Sequence, residues 1–343
     1  MSAIIGPHGE TRYFSEPLVH LADHSPVFNN IYVPSSEFGV ASIGITGQFL
    51  ESAEFYHSKY TSDERSVARQ LEYESLLGKY GYVSGVPLNI LDIGAGSGGN
   101  TFIPLARMFP GSDYVATDLS PNLLSILQYS AGSAGLDSNL ICVCTDASKT
   151  PMQPDTFDLV VGSSILHHLI EPQEVLKRVH TVLKPGGVAL FFEPFEKGHA
   201  VVALAFRQIL RISKSGHPLD LRAQKALEDM LLDWSVRVGR DKSAEFYNHI
   251  DDKWLFTENF LNEICSAIGF DPLLMMKRSG NARKFTHFVE NVLNLHSSLP
   301  RSVLPDWAWS IVDEIDYTIS SDLSADLHIE DWFSLQKRRD SSL

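Results

Sequence analysis

The feature that most constrains this chain is the run Leu91-Asp92-Ile93-Gly94-Ala95-Gly96-Ser97-Gly98-Gly99. It continues an apolar stretch, Leu88 to Ile93, that reads as a buried strand, and it opens a helical pattern from Gly98 to Met108. Glycines at a strand-to-helix turn let the backbone approach a ligand closely and leave amide N–H groups aimed at it. A chain with such a turn is expected to build a parallel sheet with helices packed on it.

The rest of the sequence keeps that rhythm. Short apolar runs alternate with helical patterns, as βαβ units require. Further strands are expected at Tyr114–Asp118, Asn139–Cys144, Phe157–Gly162 and Val188–Phe192. One helix opens at Ser120-Pro121, where Ser caps and Pro suits the first turn. Another spans Glu171–Leu183 and stops at Pro185-Gly186-Gly187. A third covers Phe256–Ile268, capped by Thr257 with Gly269 beyond its end. Leu273–Lys277 and Lys284–Glu290 read as a closing strand pair.

Around this pattern the expected organisation is an N-terminal helical lid over residues 1–85, a ligand-binding core over 86–195, a helical insertion over 196–253, the remainder of the core over 254–295 and a C-terminal extension over 296–343. Ser62–Lys79 is read as an amphipathic helix with Val67, Leu71 and Leu76 facing inward. Tyr56 and Tyr60 are placed ahead of it.

At 343 residues the chain fits one α/β core with insertions, and 44% hydrophobic residues exclude global disorder. Its 42 acidic and 28 basic residues leave a formal charge of -14, which argues against a nucleic-acid partner. Met1–Glu10 lacks the basic-then-apolar order of a signal peptide. His199–Ile212, the most apolar helical stretch, is too short to span a bilayer and contains Arg207 and Arg211, so no integral membrane segment is expected. Cys142, Cys144 and Cys265 suggest no disulfide framework, and a reduced, cytoplasmic setting follows. Cys142 and Cys144 share one face of a strand as packing residues.

The glycine run is ambiguous by itself, because Gly94, Gly96 and Gly99 also satisfy the dinucleotide pattern G-x-G-x-x-G. A carboxylate at Asp92, two residues before Gly94, would repel a pyrophosphate. Asp118 ends the next strand, where it can accept both hydroxyls of a ribose. Asp146-Ala147 follows the third strand, where an acid can accept from an adenine amino group. Loop capping is the plainer role for Asp118 and Asp146.

Four pieces, LDIGAGSGG, VATDLSPNLL, TDASKTPMQPDTFDLVVGSSILHHL and VLKPGGVALFFEPF, occur in one order between Leu88 and Phe195. In that order and spacing the segment resembles the class I S-adenosylmethionine (SAM)-dependent methyltransferases, especially the small-molecule group that includes quinone-biosynthesis enzymes. The resemblance implies an α/β, doubly wound, mostly parallel sheet of seven strands whose last hairpin ends on an antiparallel strand, with SAM as cofactor. It implies that Asp92, Gly94, Ala95, Gly96 and Gly98 cradle the methionine end, Asp92 receiving its ammonium. Asp118 and Leu119 would hold the ribose and adenine, Asp146 and Ala147 the adenine edge, and Ser163 and Ser164 would lie below the sulfonium. In related enzymes the segment around Tyr60 folds over the cofactor.

The expected reaction is methyl transfer to a small-molecule acceptor in biosynthetic or secondary metabolism, with no metal required. His167, His168 and Glu193 are the candidates for a general base. The apolar stretch with Val201, Val202, Leu204, Phe206, Ile209 and Leu210 would line an apolar or aromatic pocket or form a homodimer contact. The alternatives are an NAD(P)-dependent oxidoreductase and a non-catalytic binding protein of the same fold.

Overall fold

Strands buried on both faces need continuous apolar runs, and the short runs of this sequence have that character. In the computed structural model of the chain, which describes residues 12–21, 28, 30–37, 52–276 and 283–339, they assemble into one sheet. Among the described residues its strands are β1 (Leu18–His20), β2 (Ile31–Pro34), β3 (Asn89–Ile93), β4 (Asp113–Asp118), β5 (Leu140–Cys144), β6 (Phe157–Ser163), β7 (Leu183–Pro194), β8 (Leu274–Met275) and β9 (Glu330–Gln336). Their order is β1-β2-β5-β4-β3-β6-β7-β9-β8.

β3 pairs in parallel with β4 on one side and β6 on the other. The chain therefore winds outward from β3 in both directions, first through β4 and β5, then through β6 and β7. The ends of β3 and β6 flank the point where winding reverses, the place where an open α/β sheet leaves a crevice for a ligand. Six of the strands, β3 to β8, lie where strands were expected, and β9 supplies the seventh. The other two, β1 and β2, extend it past β5, β2 in parallel and β1 antiparallel.

Four expectations are corrected. Pro185-Gly186-Gly187 does not stop a helix: it opens β7, where Gly186 N–H donates to Lys337 O at 2.9 Å and Lys337 N–H to Gly187 O at 3.0 Å. Lys284–Glu290 is not a strand but the start of a helix over Lys284–Ser297, and the strand beside β8 is β9. Tyr56 and Tyr60 do not merely precede a helix, since they lie on one of their own, α1 (Ala53–Tyr60). In α2 (Asp63–Gly78), Val67 and Leu71 are 52% and 62% exposed, while Tyr73, Leu76 and Leu77 are buried. That helix is oriented by Tyr73, whose hydroxyl donates to Asn100 O, and by Arg69, stacked 4.1 Å from the Phe192 ring centroid. Lys277 and Met1–Glu10 lie outside the described residues.

Helices α3 (Phe102–Met108), α4 (Pro121–Ala134) and α5 (Pro172–Val182) cover the sheet. Ser120 accepts from Leu123 N–H and so caps α4, with Pro121 in its first turn. α8 (Glu258–Ile268) has the expected cap, Phe260 N–H donating to the Thr257 hydroxyl at 3.2 Å.

The chain divides into two compact units, Met1–Phe192 with Asn262–Leu274 and Phe333–Leu343, and Glu193–Leu261 with Met275–Trp332. The first holds the sheet. The second is helical, built from α6 (Glu196–Ser213), α7 (Leu221–Arg237), α9 (Lys284–Ser297), α10 (Asp306–Thr318) and α11 (Ser321–Asp326). This division cuts across the expected boundaries: residues 275–295 belong with the helical unit, not with the core. The reason is packing. Val202, Phe206 and Ile209 of α6 share one apolar cluster with Leu227 and Trp234 of α7, Phe285 and Val289 of α9 and Val312 of α10. Among the described residues no helix is long and apolar enough to cross a membrane.

Candidate cofactor and methyl-transfer site

Gly94, Gly96 and Gly98 all take the left-handed backbone, with φ of 68, 55 and 77°. Each of the first two has its own reason to lack a side chain. A Cβ on Gly94 would stand 2.8 Å from Ile165 Cγ1, so β6's following loop presses directly against it. A Cβ on Gly96 would meet nothing within 4 Å among the described residues, so within that set this glycine borders open space.

The acids around the loop act differently. Asp118, at the end of β4, accepts from Gly96 N–H on Oδ2 and from Ser120 N–H on Oδ1, both at 2.8 Å. It thus braces the glycine loop while keeping lone pairs for a ligand, since a carboxylate accepts up to about four hydrogen bonds. Burial raises its carboxyl above the ordinary carboxylate range, and the amides of Ser120 and Gly96 and nearby His168 oppose that rise.

Asp92 lies beneath the loop, with no exposed surface. Its Oδ2 accepts from the Thr101 hydroxyl at 2.5 Å and the Tyr114 hydroxyl at 3.1 Å, while Oδ1 has no partner among the described residues. Burial pushes its carboxyl up to about 7. A ligand ammonium would feel this group through the loop, because its surface is closed to direct approach.

Asp146 stands two residues past Cys144, the register partner of Asp118, so the two acids end neighbouring strands. Its Oδ1 accepts from Ser148 N–H at 2.9 Å and the Ser148 hydroxyl at 2.8 Å, the capping arrangement, and Oδ2 is 3.7 Å from Lys149 Nζ. Ala95 and Ala147 are buried and Leu119 is half-buried. Past β6, Ser163 is half-buried and Ser164 is exposed with a left-handed φ of 59°, a strained backbone of the kind found at ligand clamps. His167 and His168 follow in a single 3₁₀ turn with rings 4.1 Å apart, His167 buried and His168 half-buried. Glu193 is fully buried at the end of β7 and falls in the second unit.

Tyr60 reaches the site through its backbone, Asn100 Nδ2 donating to Tyr60 O at 3.4 Å, while its ring packs 4.7 Å from Tyr56. The stronger tie between this segment and the loop is one the sequence reading passed over: His57 Nδ1 lies 2.9 Å from Ser97 Oγ. Thr61 completes it, since a Cβ on Gly99 would fall 2.6 Å from Thr61 Cγ2. Gly99 is therefore a packing requirement of the N-terminal arm. No local signal marks His57, forty positions from its partner. Thr101 and Tyr114 were equally hidden, because their role depends on the strand pairing.

A doubly wound sheet with a glycine loop at its winding reversal and an acid at the next strand end defines a nucleotide-type cofactor domain. Residues 91–191 match the family described as "Methyltransferase domain", and this part of the chain is a class I, SAM-dependent methyltransferase domain. The chain is 33% identical over 110 residues to malonyl-[acyl-carrier protein] O-methyltransferase of a Marinomonas species, covering 31% of this chain but only 39% of that protein. It is 28% identical over 189 residues to ubiquinone biosynthesis O-methyltransferase of Colwellia psychrerythraea, covering 52% of this chain and 72% of that one. Among solved structures, phosphoethanolamine N-methyltransferase 2 of Haemonchus contortus, in complex with SAM, aligns over 86% of this chain and 61% of that chain at 17% identity, with a TM-score of 0.47.

Proposed function

We propose that the chain transfers the methyl group of SAM to a small-molecule acceptor in biosynthetic or secondary metabolism, acting in a reducing, cytoplasmic setting. The observation that most supports this is the open space over Gly96 next to Asp118, at the winding reversal of a methyltransferase-type domain. The three cysteines, all free and buried, fit the reducing setting. An oxygen acceptor is the first to test, because two of the relatives, for malonyl-[acyl-carrier protein] and in ubiquinone biosynthesis, are named as O-methyltransferases.

Bound SAM supplies a methyl group on a sulfonium, whose positive charge disappears in an in-line displacement. The protein's part is alignment and exclusion of water. Asp118 would hold the ribose hydroxyls, and its brace on Gly96 would fix the loop over the amino-acid end. Leu119 and Ala147 would flank the adenine, with Asp146 at its edge. Ser163 and Ser164 would shape the floor under the reacting centre. For an acceptor hydroxyl, His168 or His167 would take the proton, His168 being the more accessible.

Calorimetric titration with S-adenosylhomocysteine (SAH) and, separately, NAD tests the assignment. Micromolar or tighter binding of SAH, about -8 kcal/mol, with no response to NAD is the expected result. Binding of NAD without SAH would return the glycine loop to the dinucleotide class.

A further inference from the structure

Of the residues from Gly94 to Gly99, Ser97 has the one polar side chain. Three backbone donors of this loop are already spent inside the protein: Ala95 N–H on Thr117 O, Gly96 N–H on Asp118 and Gly98 N–H on Ala95 O. Ser97 is buried, with 3% of the residue exposed, and its side chain meets His57. The hydrogen bonds around His57 determine which partner donates. Thr61 Oγ1 donates to His57 O at 2.5 Å, so its hydrogen is not available to the His57 ring, although it lies 3.1 Å from Nδ1. An Nδ1 without a proton would face a lone pair there, so the compatible tautomer places the proton on Nδ1, shared between Thr61 Oγ1 and Ser97 Oγ. Ser97 then accepts from His57, and its own O–H is left to donate.

We infer that His57 is a positioning residue: by donating to Ser97 Oγ it turns the Ser97 hydroxyl into a hydrogen-bond donor for the carboxylate of the cofactor's amino-acid end. This rests on the SAM reading proposed above. The carboxylate is an acceptor only, and a fixed hydroxyl donor at the glycine loop matches it where three of the loop's six amides do not. The contact also gives the N-terminal arm a specificity role: it selects ligands that carry an amino-acid end.

Two ligands separate the claim from a general loosening of the fold. SAH has the amino-acid end, whereas 5′-methylthioadenosine keeps the nucleoside and lacks the carboxylate. Calorimetry on the full chain should show His57→Ala and Ser97→Ala each weakening SAH about tenfold, the size of one hydrogen bond to a charged group. The double variant should be no worse than either single one, because both remove the same contact. His57→Asn, which keeps a donor near the Nδ1 position, should bind SAH nearly as the wild type does. 5′-Methylthioadenosine should bind all of them alike. An unchanged SAH affinity in Ser97→Ala, or an equal loss for both ligands, would overturn the inference. A wild-type chain that binds neither ligand would instead overturn the SAM reading itself.

Discussion

Gly94 and Gly96 look equivalent in the sequence, yet one answers to packing and the other to open space. Alanine at either position meets the strain of a left-handed backbone, about 1 kcal/mol or more. At Gly94 the new methyl must also displace Ile165, so Gly94→Ala should lower stability by about 2–3 kcal/mol. Gly96→Ala should cost about 1 kcal/mol in stability but should sharply weaken SAH, because its methyl enters the space over the loop. Urea unfolding paired with calorimetry distinguishes the two. Equal stability losses would mean that Ile165 yields to the new methyl, and a Gly96 variant that binds normally would mean that the ligand lies elsewhere. The motif made these positions visible as glycines; the division of labour between them needed Ile165, far off in sequence.

At the scale of elements, the strands and helices of the core were legible because parallel strands covered on both faces must be short and apolar. The helix α9 was misread for a reason that its residues show. Over Lys284–Glu290 alone, Phe285, Phe288 and Val289 do not distinguish a buried strand from a helix. Continued to Ser297, the buried set Phe285, Phe288, Val289, Val292 and Leu293 falls at offsets of three, four, seven and eight, the helical period. What starts the helix is absent from its own sequence. Asp316 of α10 accepts from Phe285 N–H at 3.0 Å, from Thr286 N–H at 2.9 Å and from the Thr286 hydroxyl at 2.8 Å, a cap supplied by another helix. Asp316→Ala should therefore destabilise the helical unit by about 2 kcal/mol, the upper range for a lost cap, and Asp316→Asn by less. Amide exchange localised to the first turn of α9 is the direct check. Unchanged protection there would show that α9 holds its start by packing alone.

At the scale of the whole chain, the five central strands of the sheet were legible and the division into two units was not, because the apolar faces of α6, α7, α9 and α10 come from segments separated by α8 and become one core only in three dimensions. The protonation of Asp92 is a similar case, set by burial and by Thr101 and Tyr114, and it reaches the stability of the whole sheet unit. Its carboxyl has an ordinary value of 3.8 and is pushed to about 7 in the fold. The folded state thus binds this proton more tightly than the unfolded chain does, and stability falls wherever the unfolded state holds fewer protons. The contribution is intact below about pH 4, declines through the window up to about 7 and is flat above it, with a slope of at most about 1.4 kcal/mol per pH unit. Asp92→Asn cannot ionise, so its stability should lack this decline and should overtake the wild type near pH 8. Ligand binding should move the other way. The ammonium of SAH favours the charged carboxylate beneath the loop, so wild-type affinity should rise from pH 6 to pH 8, and the Asn variant should lose that rise. Thermal unfolding and calorimetry at pH 5, 6, 7 and 8 test both halves. Parallel pH curves for the wild type and Asp92→Asn would show that Asp92 keeps a normal acidity and that its unpartnered oxygen is hydrated.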